Sequence, residues 1–327
     1  MRRSQAEKAE IIHLVEHSDL SIRKTLQELD VSRSSFYRWY LRYQEDGYEG
    51  LADKDTIRKQ FWNKIPESVR GQIVNLALKQ PDKSCRQLAW QFVDQNDYFI
   101  SESSVYRILK GYDLVQSPVF TMIPAKNKYE KPTKQIHELW QTDFTQFKVQ
   151  GWGWYYLSTI LDDYSRYILA WKLSSTMGEK DVEETLEMAL KFSGTERARV
   201  RHRPRLLSDN GPAYLSNDLK KFLKIKDIRH IRGAPYHPMT QGKIERWHRS
   251  MKNVVKLQNY YFPSELEQAI SDFVNYYNRQ RYHEALDNLT PADVYFGRKE
   301  AVLTQRAQIK AQTLLLRRKQ NMRSAQV

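Results

Sequence analysis

Apolar residues recur in helical spacing along the first sixty positions. Ala9, Ile12, Leu14 and Val15 form one stripe, and Ile22, Leu26 and Leu29 continue it in a shorter second helix. Asp30-Val31-Ser32 interrupts the pattern and offers Ser32 as an N-cap. The next segment, Arg33 to Arg42, places Phe36 and Trp39 as core-type residues and turns Arg33, Ser34, Ser35 and Arg38 outward. A helix, turn, helix order of this kind suits a recognition helix with polar side chains aimed at a DNA groove. The pattern then repeats. Pro66 opens a helix carrying Val69, Ile73, Val74, Leu76 and Leu78, and a second follows Ser84 with Leu88, Trp90 and Phe92. A third follows Ser101, with Ser103, Ser104 and Arg107 outward, Tyr106 inward and Gly111 placed as a C-cap glycine. The alternative for each unit is a small helical bundle that stabilises or dimerises.

From about residue 136 alternation replaces the helical period. Strands are expected over 140–147, 154–161, 167–171, 205–208 and 228–231. Helices are expected over 179–192, with Val182, Leu186, Ala189, Leu190 and Phe192 on one side, over 216–224, and from about Gln241 to Leu257. Three strands followed by alternating helices and strands predict an α/β sheet domain. The expected organisation is a helix-turn-helix domain over 1–60, a second over 61–114, a basic linker over 115–135, an α/β domain over 136–297 and a basic tail over 298–327. The linker holds Pro118, Pro124 and Pro132 among Lys126, Lys128, Lys131 and Lys134.

The charge changes the picture. Lys and Arg total 53 against 39 Asp and Glu, a formal net charge of +14, which points to a polyanionic partner. The tail after Gly297 carries eight basic residues opposed by Glu300 alone. It reads as a solvated tail, or as a helix contacting DNA or a partner subunit. No run of about 18 consecutive apolar residues occurs, so no transmembrane helix is expected. The N-terminus lacks the apolar run of a signal peptide. The single cysteine, Cys85, excludes an intramolecular disulfide and a multi-cysteine zinc site. A cytoplasmic, nucleoid-associated, prokaryotic protein without membrane contact is the expectation.

Candidate chemistry lies in three carboxylates. Asp143 falls within the first strand, Asp209 at the end of a later one, and Glu245 in the first turns of a helix. Carboxylates so placed can converge at one rim of a sheet, where their repulsion calls for cations. Mg²⁺ or Mn²⁺ suits oxygen donors, and two ions about 3.5–4 Å apart stabilise an in-line phosphoryl displacement. Singly, each has a plainer reading: Asp143 as an edge-strand charge, Asp209 as part of a turn, Glu245 paired with Arg249 four residues on. Asp162 and Asp163 compete with Asp143.

In Trp140-Gln141-Thr142-Asp143-Phe144-Thr145, Leu207-Ser208-Asp209-Asn210-Gly211-Pro212 and Pro235-Tyr236-His237-Pro238-Met239-Thr240-Gln241-Gly242-Lys243-Ile244-Glu245-Arg246, the chain resembles insertion-sequence transposases with a retroviral-integrase-type catalytic core. Thirty-five residues separate Asp209 from Glu245, the interval of that family's two-aspartate, one-glutamate motif. The resemblance implies an RNase H-like domain, a mixed sheet with helices on both faces, behind two all-α helix-turn-helix domains. It implies Asp143, Asp209 and Glu245 as catalytic metal ligands, with Asp162 and Asp163 structural or supporting. It also implies strand cleavage followed by transfer of the freed 3′-hydroxyl into target DNA, and a homodimer or higher oligomer on double-stranded transposon-end and target DNA. Lys252, seven positions after Glu245, is expected near the DNA end, and Lys243 and Arg249 are further candidate DNA contacts. His237 reads as a loop residue shaping the site, and His248 as phosphate-facing or solvated. Tyr276 to Pro291 resembles the segment that closes such cores. Two other functions are weighed: a tandem helix-turn-helix regulator with an inactive core, and a nuclease without strand transfer.

Overall fold

The computed structural model describes residues 4–52, 61–115, 133–195, 203–233, 242–256 and 258–323. Most of the expected basic linker, and His237, lie outside the described residues. The chain divides into two units between Phe61 and Trp62.

The first unit holds α1 (Gln5–Glu16), α2 (Ile22–Glu28) and α3 (Arg33–Asp46), closed by a 3₁₀ turn over Gly47–Leu51. Ser4 caps α1 in a reciprocal box with Glu7, and the Ser32 side chain accepts from Ser35 N–H at the start of α3. Each such cap is worth about 1 kcal/mol. The core is Ile11, Ile12, Val15, Leu26, Val31, Phe36 and Leu51. Leu14, expected in the stripe, is 45% exposed, and the buried face of α1 runs instead through Lys8, Ile11, Ile12 and Val15. Lys8 reaches this face because its ammonium donates to the Leu51 carbonyl at 3.1 Å, leaving its stem to pack.

The second unit begins with α4 (Glu67–Lys79), α5 (Cys85–Asn96) and α6 (Glu102–Gly111) around Val69, Ile73, Leu88, Phe92, Ile100, Val105, Ile108 and Leu109. Leu78 departs from its expected stripe and is exposed. Gly111 is the last residue of α6 rather than its cap. The left-handed position is Asp113, and Leu114 N–H closes the turn onto Leu109 O at 3.0 Å. An aspartate tolerates that conformation, so the glycine was not required there.

The sheet follows, with β1 (Leu139–Val149), β2 (Gly153–Asp162), β3 (Ile168–Ser174), β4 (Arg205–Ser208) and β5 (His230–Arg232). Their spatial order is β3-β2-β1-β4-β5. The first three strands are antiparallel, while β4 pairs parallel to β1 and β5 parallel to β4. One face packs on α7 (Glu179–Ser193), α8 (Pro212–Leu215), α9 (Asn217–Ile225) and α12 (Pro291–Tyr295) through Trp140, Ile160, Leu186, Leu206, Tyr214 and Leu223. The other packs on α10 (Gly242–Val255) and α11 (Pro263–Arg279) through Phe147, Leu157, Leu161, Trp247, Ile270 and Phe273. Period-two alternation feeds both cores: even-numbered Trp140 and Ile160 turn one way, odd-numbered Phe147 and Leu157 the other. This is the mixed sheet with helices on both faces that was expected. Phe192, expected on the inner side of α7, is 49% exposed and stacks on Tyr167 and Tyr295.

The basic tail is one helix, α13 (Lys299–Arg323). Its buried stripe is Arg306, Ile309, Thr313 and Arg317, at helical spacing. Two arginines of the charge surplus are therefore structural, and the tail is a packed helix rather than a solvated segment. Among the described residues no helix is long and apolar enough to cross a membrane.

His283 makes acid the sensitive direction for this unit. Burial first, then the Arg281 and Arg166 charges, push its imidazole down to about 3. Unfolded, it titrates near 6.5. Between these values the unfolded state binds the extra proton, so stability is complete above pH 6.5 and falls as pH drops, by up to about 1.4 kcal/mol per unit. Unfolding midpoints followed from pH 7 to 4 should fall less steeply in His283→Gln; parallel curves would contradict this.

Candidate active site

β1 and β4 lie side by side and parallel, with Gln141 opposite Leu207. Asp143, two residues beyond Gln141, and Asp209, two beyond Leu207, therefore leave the same rim of the sheet. Asp143 is partly buried, and its Oδ1 accepts from the Phe144 N–H at 2.8 Å. Asp209 accepts from the Gly211 N–H at 2.9 Å. A Cβ at Gly211 would stand 3.1 Å from the Asp209 Oδ1, so the glycine permits this close approach. Partial burial, reinforced by the Asp143 charge and opposed by the Gly211 N–H, holds the Asp209 carboxyl above its ordinary pKa. Both aspartates also act on the buried Tyr214 hydroxyl, itself 3.3 Å from the Thr142 Oγ1.

α10 crosses this rim. Its apolar side, Ile244, Trp247 and Met251, is wholly buried. His248, read from the sequence as solvated or phosphate-facing, is 6% exposed, with Nδ1 3.4 Å from the Asp143 Oδ2. Lys252, one turn on, lies within the electrostatic reach of Asp143, and burial lowers its pKa. Glu245 lies at −3 and −7 from these two residues, on the same stripe. It is exposed, as is Arg249. Among the described residues no three His, Cys, Asp or Glu side chains are gathered tightly enough to hold a metal ion. The structure thus brings Asp143, Asp209, His248 and Lys252 together and leaves Glu245 beside them. The segment just before α10, residues 234–241, is outside the described residues.

Beneath the pair lies Asp163, expected from the sequence to be structural or supporting, with partners that the sequence did not reveal. Asp163 Oδ1 accepts from Gln141 Nε2 at 2.7 Å, and its Oδ2 accepts from Lys243 Nζ and Thr133 Oγ1, both at 2.6 Å. Gln141 Oε1 in turn accepts from the Ile244 N–H at 3.1 Å, an otherwise unmatched donor at the start of α10. Lys243, expected to contact DNA, instead spends its ammonium on Asp163, whose side chain is 5% exposed. The signal available in the sequence was parity: Gln141 and Asp143 share one face of β1. Asp162, its neighbour, accepts from His137 N–H, Ser165 N–H and Ser165 Oγ and closes the β2–β3 turn. Asp163→Ala strands a lysine and an amide in a mostly dry site and should cost about 3–5 kcal/mol. Denaturant unfolding measures this, and a loss below about 1 kcal/mol would contradict the assignment.

The recognition candidates sit as expected on two helices built alike. Arg33, Ser34 and Arg38 on α3, and Ser103 and Arg107 on α6, are exposed. Ser35 and Ser104 are partly turned into the caps, their N–H groups donating to Ser32 and Ser101. Arg107 Nε donates to the Ser103 carbonyl at 3.1 Å. Phe36 is buried and Trp39 and Tyr106 are partly so.

Residues 134–238 and 226–291 match integrase core domain families, and residues 2–52 and 35–109 match homeodomain-like domain families. The chain is 25% identical over 278 residues to the transposase for transposon Tn552 of Staphylococcus aureus, covering 77% of this chain and 56% of that protein. It thus spans little more than half of that relative's length. It is 27% identical over 273 residues to the putative transposase InsK for insertion sequence element IS150 of Escherichia coli (strain K12), covering 82% of this chain and 91% of that protein. Among solved structures it is similar to the HTLV-2 integrase catalytic core domain in complex with magnesium, with 20% identity, 50% of this chain, 97% of that chain and a TM-score of 0.39. The chain is therefore similar to the Tn552 and IS150 transposases, with a region matching integrase core domain families preceded by regions matching homeodomain-like families.

Proposed function

We propose that this protein is a DNA transposase, a polynucleotidyl transferase that binds the ends of a mobile element, cleaves a strand there and joins the freed 3′-hydroxyl to target DNA. The observation that carries the reading is the meeting of Asp143 and Asp209 at the rim of two adjacent parallel strands, under the helix that bears Glu245. Carboxylate oxygens, on a rim where burial and the Asp143 charge hold the Asp209 carboxyl above its ordinary pKa, fit a hard divalent cation such as Mg²⁺ or Mn²⁺. Asp143, Asp209 and Glu245 would hold one or two such ions, which when bound polarise the phosphate and ease departure of the leaving oxygen.

The chain's own residues supply the rest. His248 buttresses the Asp143 carboxylate from α10, so that its orientation is set before DNA arrives. Lys252 and Arg249 place positive charge along the same helix face, where a phosphate backbone must approach a negative rim. Exposed side chains of α3 and α6 read sequence. Arg38→Ala and Arg107→Ala should each weaken binding to the selected end by about 1–3 kcal/mol and weaken binding to random duplex less. Competition binding at fixed salt checks this, and equal losses on both DNAs would make these arginines phosphate contacts only.

The test of the function uses labelled end DNA with Mg²⁺ and, separately, with a chelator. Cutting with joining in Mg²⁺, and binding without cutting in chelator, is the expected result. Binding with no cutting in any divalent metal would favour a regulator, and cutting without joining a simple nuclease.

A further inference from the structure

We propose that α13 is a strut that holds the second recognition helix, α6, at a fixed distance from the Asp143–Asp209 rim, and thereby sets which phosphodiester is cut. The inference rests on the transposase reading and adds to it a determinant of cleavage position.

Twenty-five residues of helix span about 37 Å. The first half of α13 is fastened to the core. Val302 and Leu303 pack on Leu286, Leu289 and Val294, and Arg306 Nη1 donates to the Asn288 carbonyl at 2.9 Å. At the same level Arg306 meets the helical domain: Nε and Nη2 donate to the two oxygens of Asp94, on α5, at 2.8 and 2.7 Å. Tyr282 of the core donates to the same carboxylate at 2.8 Å. The Arg306 guanidinium lies over Trp90 of α5 at 4.5 Å and over Tyr282 at 5.5 Å. This is one buried arginine shared by three elements.

The second half of α13 grips the turn that leads into α6. Phe99, two residues before the α6 cap Ser101, has both backbone groups taken: its N–H donates to Thr313 Oγ1 at 2.9 Å and its carbonyl accepts from Arg317 at 2.5 Å. Arg317 also donates to the Tyr98 hydroxyl at 2.8 Å and to the Asn63 side chain at 3.1 Å. Asn321 donates to the carbonyls of Trp62 and Lys64. Among the described residues, further links between the helical domain and the core are Arg86 with Glu284, Gln87 with Tyr276 and the Lys83 ammonium over the Tyr276 ring.

Successive phosphates on one strand are about 3.4 Å apart along the duplex axis. A hinge freed by that amount at the rim would bring a neighbouring phosphodiester to the carboxylates. Buried arginine contacts in both halves of a rigid helix, bidentate on Asp94 in the first, suppress such play.

The test maps cut positions at single-nucleotide resolution, on a labelled duplex carrying the sequence that the full chain enriches from a random pool. Two variants are compared with the wild type: the paired Asp94→Leu with Arg306→Met, which removes both charges of the upper junction together, and Arg317→Met at the lower one. Wild type should cut at one position. Each variant should spread its cuts over adjacent phosphodiesters while binding the duplex within about twofold of wild type. Cutting by both variants at the single wild-type position, at whatever rate, would overturn the proposal. Absence of cutting by the wild type would instead overturn the transposase reading, and the spacing role with it.

Discussion

Asp143→Asn should reduce metal-dependent strand cleavage by about a thousandfold or more while leaving duplex binding within about twofold. Asparagine keeps the size of the side chain and its acceptor for the Phe144 N–H, so the strand and its register should survive. What is lost is one negative oxygen at the rim, facing Asp209 and the positive face of α10. A thousandfold corresponds to about 4 kcal/mol of activation free energy, within the several kcal/mol that a bound divalent ion supplies at a phosphoryl centre. Glu245→Gln should behave alike if the exposed glutamate completes the set. Strong Mg²⁺-dependent nicking by either variant would remove that residue from the ligand set.

The second large effect is on the seat of α10. Trp247 is wholly buried, 4.5 Å from the Tyr277 ring and 5.5 Å from the Phe273 ring, centroid to centroid. Trp247→Ala empties the contact between α10 and α11, at a cost of about 3–5 kcal/mol. At about 2–4 °C per kcal/mol for a unit of this size, the midpoint of thermal unfolding should fall by about 10 °C. His248 and Lys252 ride on the same helix, so cleavage should fall further than the folded fraction alone requires. Thermal unfolding followed beside single-turnover cleavage tests this. A loss below about 1 kcal/mol would mean that α10 is not held by its core face.

Local pattern was enough to place most elements. Alternation located β1 and β2, and the boundaries Arg205–Ser208 of β4 match, because the short apolar run is closed by Asp209-Asn210-Gly211. Serine caps placed the starts of α3, α5 and α6, since each needs only a hydroxyl and an N–H three residues on. What stayed hidden depends on partners far away in sequence. The buried stripe of α13 contains Arg306, Thr313 and Arg317, so a search for apolar periodicity passes over it. Those side chains are internal because Asp94, Tyr98 and Phe99, some two hundred residues earlier, receive them. Lys243 was likewise assigned to DNA because nothing near it in sequence announces Asp163. For the site, spacing and neighbours singled out Asp143 and Asp209, and the fold places them at one rim. The role of His248 was legible only once α10 was seen to turn it inward.

The charge also divides more sharply. Part of the surplus is internal cement, Arg306 and Arg317, and part is the exposed face of α10 and the recognition helices. Binding to DNA should therefore weaken with salt less steeply than +14 suggests, at about 0.9 log units per neutralised phosphate per log unit of salt.

The most direct measurement is strand joining from a pre-cut end. A labelled duplex ending in a free 3′-hydroxyl is incubated with the full chain, supercoiled plasmid and Mg²⁺. A transposase transfers the label covalently into the plasmid, and chelator or Asp209→Asn prevents it while the duplex stays bound. Bound duplex with no label in the plasmid, under any divalent metal, would contradict the account.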